Sequence, residues 1–397
     1  MRKLEWTVVA SLLAISAGIP LYQAVHEMMV AKELPHLFNV FKQNPTKANL
    51  HRWDENAKDR SVFAKWIRPV TLQLRYDVLG EMAPKSIKGE EDWLFYNQDV
   101  DYLLHPPYTD DRFYKGTFDT VIAGKHVNLS NPLVAMEDFR DRLKARGIDL
   151  LVVPIPGKPS IYPEKLWSGF KGEPASPTQA LLTDLRGRGF QVADLFDPLL
   201  KAKSARGPLL YLKRDSHWTP QGMEVAAEAL ASRIKQMIPD ADTAAVLGPQ
   251  DSSTFAPRFV IKDTTVARWG DIAEMTKVPN RRKIWPEESV RVTQIADAET
   301  GKLYKDDPAS IILWLGDSFS RIYQTDAPGS AGVIAHVAYK LNRPIASIVN
   351  DGGASTVVRQ QLARRGELLE GKKLVVWTFV ERDLRFGSKG WQLEDLP

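Results

Sequence analysis

Two short stretches of this chain carry residue types and spacing suited to nucleophilic chemistry. The first is IILWLGDSFSRIY, residues 311–323, where an apolar, strand-like run stops on Gly-Asp-Ser and leaves Ser318 at its end. A serine hydroxyl becomes a useful nucleophile only when a neighbouring base takes its proton. The second stretch, YLKRDSHWTPQG, supplies a candidate base in His217, with Asp215 two residues before it. Residues two apart in an extended chain point to the same side, so the Asp215 carboxylate can fix the tautomer of the imidazole and stabilise the imidazolium formed during proton transfer. Thr219 and Pro220 form a helix start, because Thr caps and Pro is pre-organised for the first helical position. The pair therefore sits in the loop before a helix, with Trp218 placed to wall the site.

Each stretch also has a plainer reading. Gly-Asp-Ser can be a strand-to-helix turn capped by Asp317 or Ser318, and Asp215 can cap a local turn beside a surface His217. A metal centre is a third reading, but no further ligand stands at a comparable spacing to Asp215 and His217. Of the other histidines, His26, His36 and His51 fall in the N-terminal region, His105 and His126 in loops and His336 inside a helix. All six are expected to be structural or exposed.

The elements that must position these residues alternate. Residues 132–147 place Leu133, Met136, Phe139 and Leu143 at helical spacing before a Gly stop, and 148–156 form a continuous apolar strand run. A second helix-strand pair covers 176–196. Further strands are expected at 309–315, 344–349 and 372–380, with helices near 332–341 and 356–369. Such alternation predicts an α/β sandwich with a mostly parallel central sheet. A short aromatic strand near Trp93 opens this domain, and 241–308 reads as an irregular insertion or edge elaboration.

The 397 residues suffice for a large core, and 44% hydrophobic with 26% charged residues describes an ordinary globular chain. A net charge of +4 with interleaved signs gives no nucleic-acid stripe. The absence of cysteine removes disulfides, zinc-thiolate sites and cysteine nucleophiles. At the N-terminus Arg2 and Lys3 precede the apolar run from Trp6 to Val25. That run is just long enough for a membrane helix, for which about 20 residues are needed, and an uncleaved anchor is favoured over a cleaved signal peptide; either way the remainder is exported. The expected organisation is an anchor or signal segment at 1–30, a helical stalk or cap at 31–84 and a catalytic domain at 85–397.

These residues resemble a known family. GDSFS at 316–320 is similar to the nucleophile block of SGNH-type esterases and acyltransferases, and DSHWT at 215–219 resembles the Asp-x-His-Trp element of the AlgJ/AlgX-type alginate O-acetyltransferases. WLFY from Trp93, VVPIPGKPSIYPEKL from Val152, RWGDIAEM from Arg268 and VVWTFVERDL from Val375 extend the likeness over roughly residues 85–385. The resemblance implies an SGNH-hydrolase-like α/β fold in which Asp and His precede Ser, a circularly permuted catalytic order. It implies a periplasmic O-acetyltransferase, anchored to the inner membrane of a Gram-negative bacterium, that acetylates hydroxyls of an alginate-like exopolysaccharide. A membrane-bound O-acyltransferase partner would supply the acetyl groups. Carried over by position, Ser318 is the nucleophile, His217 the base and Asp215 the orienting acid, with no metal or other cofactor. Asn350 or Gly353 is a candidate oxyanion or substrate contact, Arg359 a candidate for a carboxylated sugar, and Lys158 and Tyr162 candidates to touch the polymer or to pack at the surface. The chain ends soon after its last strand, without room for the C-terminal carbohydrate-binding module of the AlgX type, so the membrane-anchored AlgJ type is the expected relative. Two rivals stand beside this reading: a carbohydrate acetylesterase with the same triad, and a non-catalytic polysaccharide-binding subunit of an acetylation complex.

Overall fold

The computed structural model describes residues 2–42, 44–110, 119–122, 125–128, 131–205, 207–238, 257–387 and 390–396. The chain divides into two compact units, Met1–Ala83 with Lys277–Asn280, and Pro84–Thr276 with Arg281–Pro397.

The first unit is helical. Its stretch Trp6–Ala31 is 26 residues long, with a mean hydropathy of 1.8 over its most apolar 18 residues, and is long and apolar enough to cross a membrane. The far end of this stretch is stitched into the rest of the unit. Gln23 Oε1 accepts from the backbone of Val62 at 2.8 Å, and the buried Glu27 carboxylate accepts from the backbone of His36 at 2.6 Å and faces Arg60 at 3.5 Å. Two amphipathic helices follow, Lys47–Arg60 capped by Thr46 and Val62–Leu79 capped by Ser61, as expected of Thr and Ser at helix starts.

The second unit contains eleven strands among its described residues. Two short antiparallel pairs come first, β1 (Ser86–Lys88) with β2 (Leu94–Tyr96) and β3 (Asp119–Ile122) with β4 (Lys125–Asn128). His126, expected in a loop, lies in β4. The central sheet is built from β5 (Asp149–Ile155), β6 (Gln191–Val192), β9 (Ile312–Gly316), β10 (Ala346–Val349) and β11 (Leu374–Val380). Their spatial order is β10-β9-β11-β5-β6, and every pairing is parallel. Helices Pro132–Lys144, Pro177–Gly187, Val333–Leu341 and Val357–Ala363 alternate with these strands. β9 and β11 are buried along their whole length, and β5 after its first residue, which is why they read as unbroken apolar runs. Because the strands are parallel, all their carboxyl ends open on one edge, the edge where α/β sheets bind ligands.

Three elements differ from expectation. β6 is only two residues long because Asp194 accepts from the backbone of Phe196 at 2.9 Å and turns the chain into helix Phe196–Ser204. The expected helix over 356–369 breaks at Arg365, whose φ of −128° and ψ of 50° separate Val357–Ala363 from a 3-10 turn at Gly366–Leu369. Within 241–308, residues 241–256 lie outside those described, but the remainder holds two ten-residue strands, β7 (Phe259–Arg268) and β8 (Glu288–Asp297), paired antiparallel. Thr264, Val266 and Arg268 are the less exposed residues at the end of β7, with Val260–Asp263 and Thr265 exposed. A strand covered on one side only gives a weak apolar signal.

Candidate active site

Ser318 follows β9 at its carboxyl end and begins the short helix Ser318–Arg321. The turn is capped by Asp317, whose buried carboxylate accepts from the backbone of Phe319 at 2.9 Å and from that of Val380 at 2.8 Å. Asp317 thus ties the end of β9 to the end of β11. The cap and the nucleophile readings of Gly-Asp-Ser are compatible, because Asp317 does the capping and the Ser318 hydroxyl remains part-exposed.

His217 comes from a loop whose two sides pair. Tyr211 and Trp218 form an antiparallel bridge, and Leu212 N donates to His217 O at 3.1 Å. Thr219 caps helix Pro220–Met237 as its sequence predicts. The imidazole lies between the two candidate partners, with Nε2 at 2.8 Å from Ser318 Oγ and Nδ1 at 2.6 Å from Asp215 Oδ1. Phe319 packs on the imidazole with ring centres 4.8 Å apart, and Trp218 meets Phe319 edge-on at 5.1 Å. Trp218 is wholly buried, so it backs the site through Phe319 and does not form an open wall.

Asp215 is buried and surrounded by donors. Oδ1 accepts from Nδ1 and from the backbone of His217 at 3.0 Å, while Oδ2 accepts from Arg268 Nη2 and from Asp271 N, both at 3.3 Å. Burial opposes its ionisation, but the charge and hydrogen bond of His217 and the charge of Arg268 outweigh that effect and hold the carboxyl far below the usual range. For His217, burial pulls the imidazole down, and the charge and hydrogen bond of Asp215, with the charge of Asp271, overcome it and leave the group raised.

Asp271 and Arg268 were not singled out from the sequence as site residues. Arg268 ends β7 and Asp271 follows it by three residues. Asp271 accepts from Ser216 N at 2.7 Å and from Ser216 Oγ at 2.6 Å, with Oδ2 3.7 Å from His217 Nδ1. Gly270 makes the approach possible, since a Cβ there would stand 2.0 Å from the carbonyl oxygen of Arg214. The usable signal was the Gly-Asp at a helix start in RWGDIAEM. Asp215, His217 and Asp271 have donor atoms within 4.8 Å of one another, so the third ligand that sequence spacing lacked is present in space. The contact between Nδ1 and Oδ1 at 2.6 Å is nevertheless a hydrogen-bond length. Two donors on a tetrahedral zinc, each about 2.0–2.1 Å from the ion, stand about 3.3 Å apart.

The remaining residues chosen from sequence fall in other places. Lys158 is fully buried and cannot touch a polymer. Its Nζ donates to the carbonyls of Leu212 at 3.0 Å, Lys213 at 3.1 Å and Asp215 at 2.7 Å, and burial lowers its ammonium to about 8. Tyr162 is also buried; its hydroxyl accepts from Leu210 N at 3.1 Å, at the start of the same loop. Arg359 lies in the core, where it donates to Ser355 O at 2.6 and 2.9 Å and stacks near Trp377, so it reaches no sugar. Gly353 spends its N–H on Asn350 O at 3.1 Å, and its missing side chain makes room for the Asn350 amide, whose Oδ1 a Cβ would approach to 2.2 Å. Asn350 itself is half-buried at the carboxyl end of β10, with its N–H on Gly316 O at 3.0 Å, beside the turn that carries Ser318.

A supporting chain runs from the sheet to the imidazole. At the end of β11 the buried Glu381 carboxylate accepts from Gly157 N at 2.6 Å, Thr178 Oγ1 at 2.7 Å and the hydroxyls of Ser160 and Ser176. This fixes the turn after β5, which carries Lys158, and Lys158 in turn gathers the carbonyls of the loop that presents Asp215 and His217. Replacing Lys158 with Met takes the donor from the carbonyls of Leu212 and Asp215, at about 1–3 kcal/mol for each unsatisfied group, while Lys213 O keeps Leu94 N at 2.8 Å. Denaturant titration of Lys158→Met is therefore expected to give a loss of about 2–4 kcal/mol, given that such terms do not add in full. A loss below about 0.5 kcal/mol, typical of an unconstrained surface change, would contradict this account.

Residues 87–381 match the family described as the SGNH hydrolase-like domain of the acetyltransferase AlgX. A probable alginate O-acetylase AlgJ of Pseudomonas fluorescens is 26% identical over 322 residues, covering 78% of this chain and 71% of that protein. The probable alginate O-acetylase AlgJ of Azotobacter vinelandii is 30% identical over 166 residues, covering 41% of this chain and 37% of that protein. The solved O-acetyltransferase domain of Pseudomonas putida AlgJ has the same fold, with a TM-score of 0.54 at 22% identity over 76% of this chain and 92% of that domain.

Proposed function

Because the chain belongs to the SGNH hydrolase-like acetyltransferase family of AlgX, we propose that it transfers acetyl groups to hydroxyls of an exopolysaccharide, alginate-like in kind, through an acetyl-serine. The observation that carries the reading is the unbroken line of contacts from Asp215 through His217 to Ser318, at 2.6 and 2.8 Å. His217 Nε2 takes the Ser318 proton as Oγ attacks the acetyl carbonyl carbon, and the imidazolium returns that proton to the leaving group. In the second half, His217 takes the proton of a sugar hydroxyl, whose oxygen attacks the acetyl-serine. Collapse releases the acetylated sugar, and the proton returns to Ser318. Asn350 is assigned the role of amide donor to the oxyanion, with Gly353 giving it space. Because Asp215 and His217 precede Ser318, we read the catalytic order as a circular permutation of the usual SGNH arrangement.

The organisation assigned to the chain is a membrane anchor over residues 1–30, a helical stalk over 31–84 and the catalytic domain over 85–397, held on the periplasmic side of an inner membrane. A membrane-bound acyltransferase is the assigned acetyl source. The apolar stretch Trp6–Ala31 and the likeness to AlgJ support this placement.

Intact-mass measurement of the detergent-solubilised chain with an activated acetyl ester tests the reaction. An acetyl adduct on Ser318, discharged to an acetyl-free oligosaccharide faster than to water, is the expected result. Discharge to water alone, unaffected by the oligosaccharide, would identify an esterase.

The pH dependence follows from the charges around the imidazole. Only neutral His217 can accept the serine proton, so kcat/KM should rise with pH through a limb lying above the ordinary histidine value, near 6.5. Asp271 is one of the charges that raise His217. Asp271→Asn keeps an acceptor for Ser216 but removes that charge, so the limb should move to lower pH with the plateau kcat little changed. An unmoved limb would show that Asp271 does not act on the base.

A further inference from the structure

The helix Val62–Leu79 in the first unit carries an apolar face that is exposed among the described residues. Phe63, Trp66, Val70, Leu74 and Val78 are between 39% and 70% exposed. At 100° per residue they fall within an arc of about 120°. Phe63, Trp66, Val70 and Leu74 form a stripe of about 80° with no charged residue in it, beyond the scattered exposure ordinary for a water-facing surface, while Asp77 enters the same arc in the last turn. Phe38 and Phe41, on the short helix His36–Lys42, are exposed as well.

The position of this helix is set by its start. Counting from Trp6, about 20 residues at 1.5 Å rise fill a hydrocarbon core about 30 Å thick. The far boundary then falls near Val25, between Gln23 and Glu27. Gln23 is the residue that receives Val62 N at 2.8 Å through its Oε1, and its Nε2 donates to Arg60 O at 3.2 Å. The apolar stripe therefore starts at the depth where headgroups meet acyl chains. Trp and Phe are residues suited to that depth, and Lys65 and Arg68 fall on the opposite side of the helix, towards water.

We propose that helix Val62–Leu79 lies on the bilayer crossed by the N-terminal stretch, with Phe63, Trp66, Val70 and Leu74 seated among the acyl chains and the last turn, from Asp77, lifted to the headgroups. The inference rests on the anchor reading above, and it makes the stalk a membrane-lying element. Its consequence is that the catalytic unit is tethered from a segment fixed to the membrane surface at two places.

The full chain contains no cysteine, so single labels can be introduced without background. Spin labels on Leu12→Cys, Lys65→Cys, Val70→Cys and Leu74→Cys would be measured in vesicles of phosphatidylethanolamine and phosphatidylglycerol. Labels at 12, 70 and 74 are expected to collide preferentially with oxygen, and the label at 65 with a water-soluble nickel chelate. Nickel access at 70 and 74 with lipid access at 12 would overturn the proposal and leave the anchor intact. Nickel access at 12 as well would overturn the anchor reading itself. Shielding of 70 and 74 that requires a co-expressed acyltransferase, or spin coupling between copies of the chain, would assign the stripe to a protein surface and overturn the lipid assignment.

Discussion

Ser318→Ala abolishes the acetyl adduct and lowers polysaccharide acetylation on the order of a thousandfold or more, the scale seen when a serine triad loses its nucleophile. The fold should tolerate the change. Asp317, not Ser318, supplies the side-chain cap of the turn, through its contacts to Phe319 N at 2.9 Å and Val380 N at 2.8 Å. Removing Oγ leaves His217 facing a small solvent-accessible gap, which a water can fill. Thermal unfolding within a degree or two of the parent protein, together with the loss of acetylation, would separate a chemical role from a structural one. Acetylation persisting at the parental level in Ser318→Ala would return the chain to the class of polysaccharide-binding subunits.

Asp215→Asn is expected to be about as damaging, with a loss on the order of 10³–10⁴ in kcat/KM, because it attacks the tautomer of the base. The Asp215 carboxylate meets donors on both sides. The Nδ1 and backbone N–H of His217 address Oδ1, and Arg268 and the Asp271 backbone address Oδ2. An amide has one accepting oxygen. Placed towards His217, it sets its NH2 against the Arg268 guanidinium and the Asp271 N–H. Placed the other way, it sets its NH2 against the backbone of His217 and moves the imidazole proton to Nε2, where it can no longer accept from Ser318. Either orientation leaves a buried donor without an acceptor, so a stability loss of about 1–3 kcal/mol should accompany the kinetic one. A pH-independent loss smaller than tenfold would mean that Asp215 is dispensable to the base.

How much of this was legible in the sequence depended on burial. β5, β9 and β11 are covered on both faces, so their side chains could only be apolar, and the runs at 148–156, 309–315 and 372–380 announced them. The turn after β9 and the loop before the helix at Pro220 were readable because Gly, Asp, Thr and Pro have narrow local preferences. The side chains of Asp215, His217 and Ser318 do meet, although no local rule specifies contact across a hundred positions. Lys158 and Arg359 misled for a general reason, since long cations are almost always exposed unless partnered. Their partners here are backbone carbonyls and aromatic faces, which leave no mark in residue type. Asp271 and Arg268 were hidden differently. Their contribution depends on the register of β7 against β8, which pairs Arg268 with Glu288 and Phe259 with Asp297.

That register also limits how the gene for this chain can change. Alternate residues of a strand face opposite sides, so the loss of a single codon inside β7 would turn the guanidinium of residue 268 outward and the neighbouring alanine inward. Codons removed two at a time, one pair from each strand, would shorten the β7–β8 pair and keep the arginine over the carboxylate. Length variation among descendants of this sequence should accordingly come in even steps within β7 and β8.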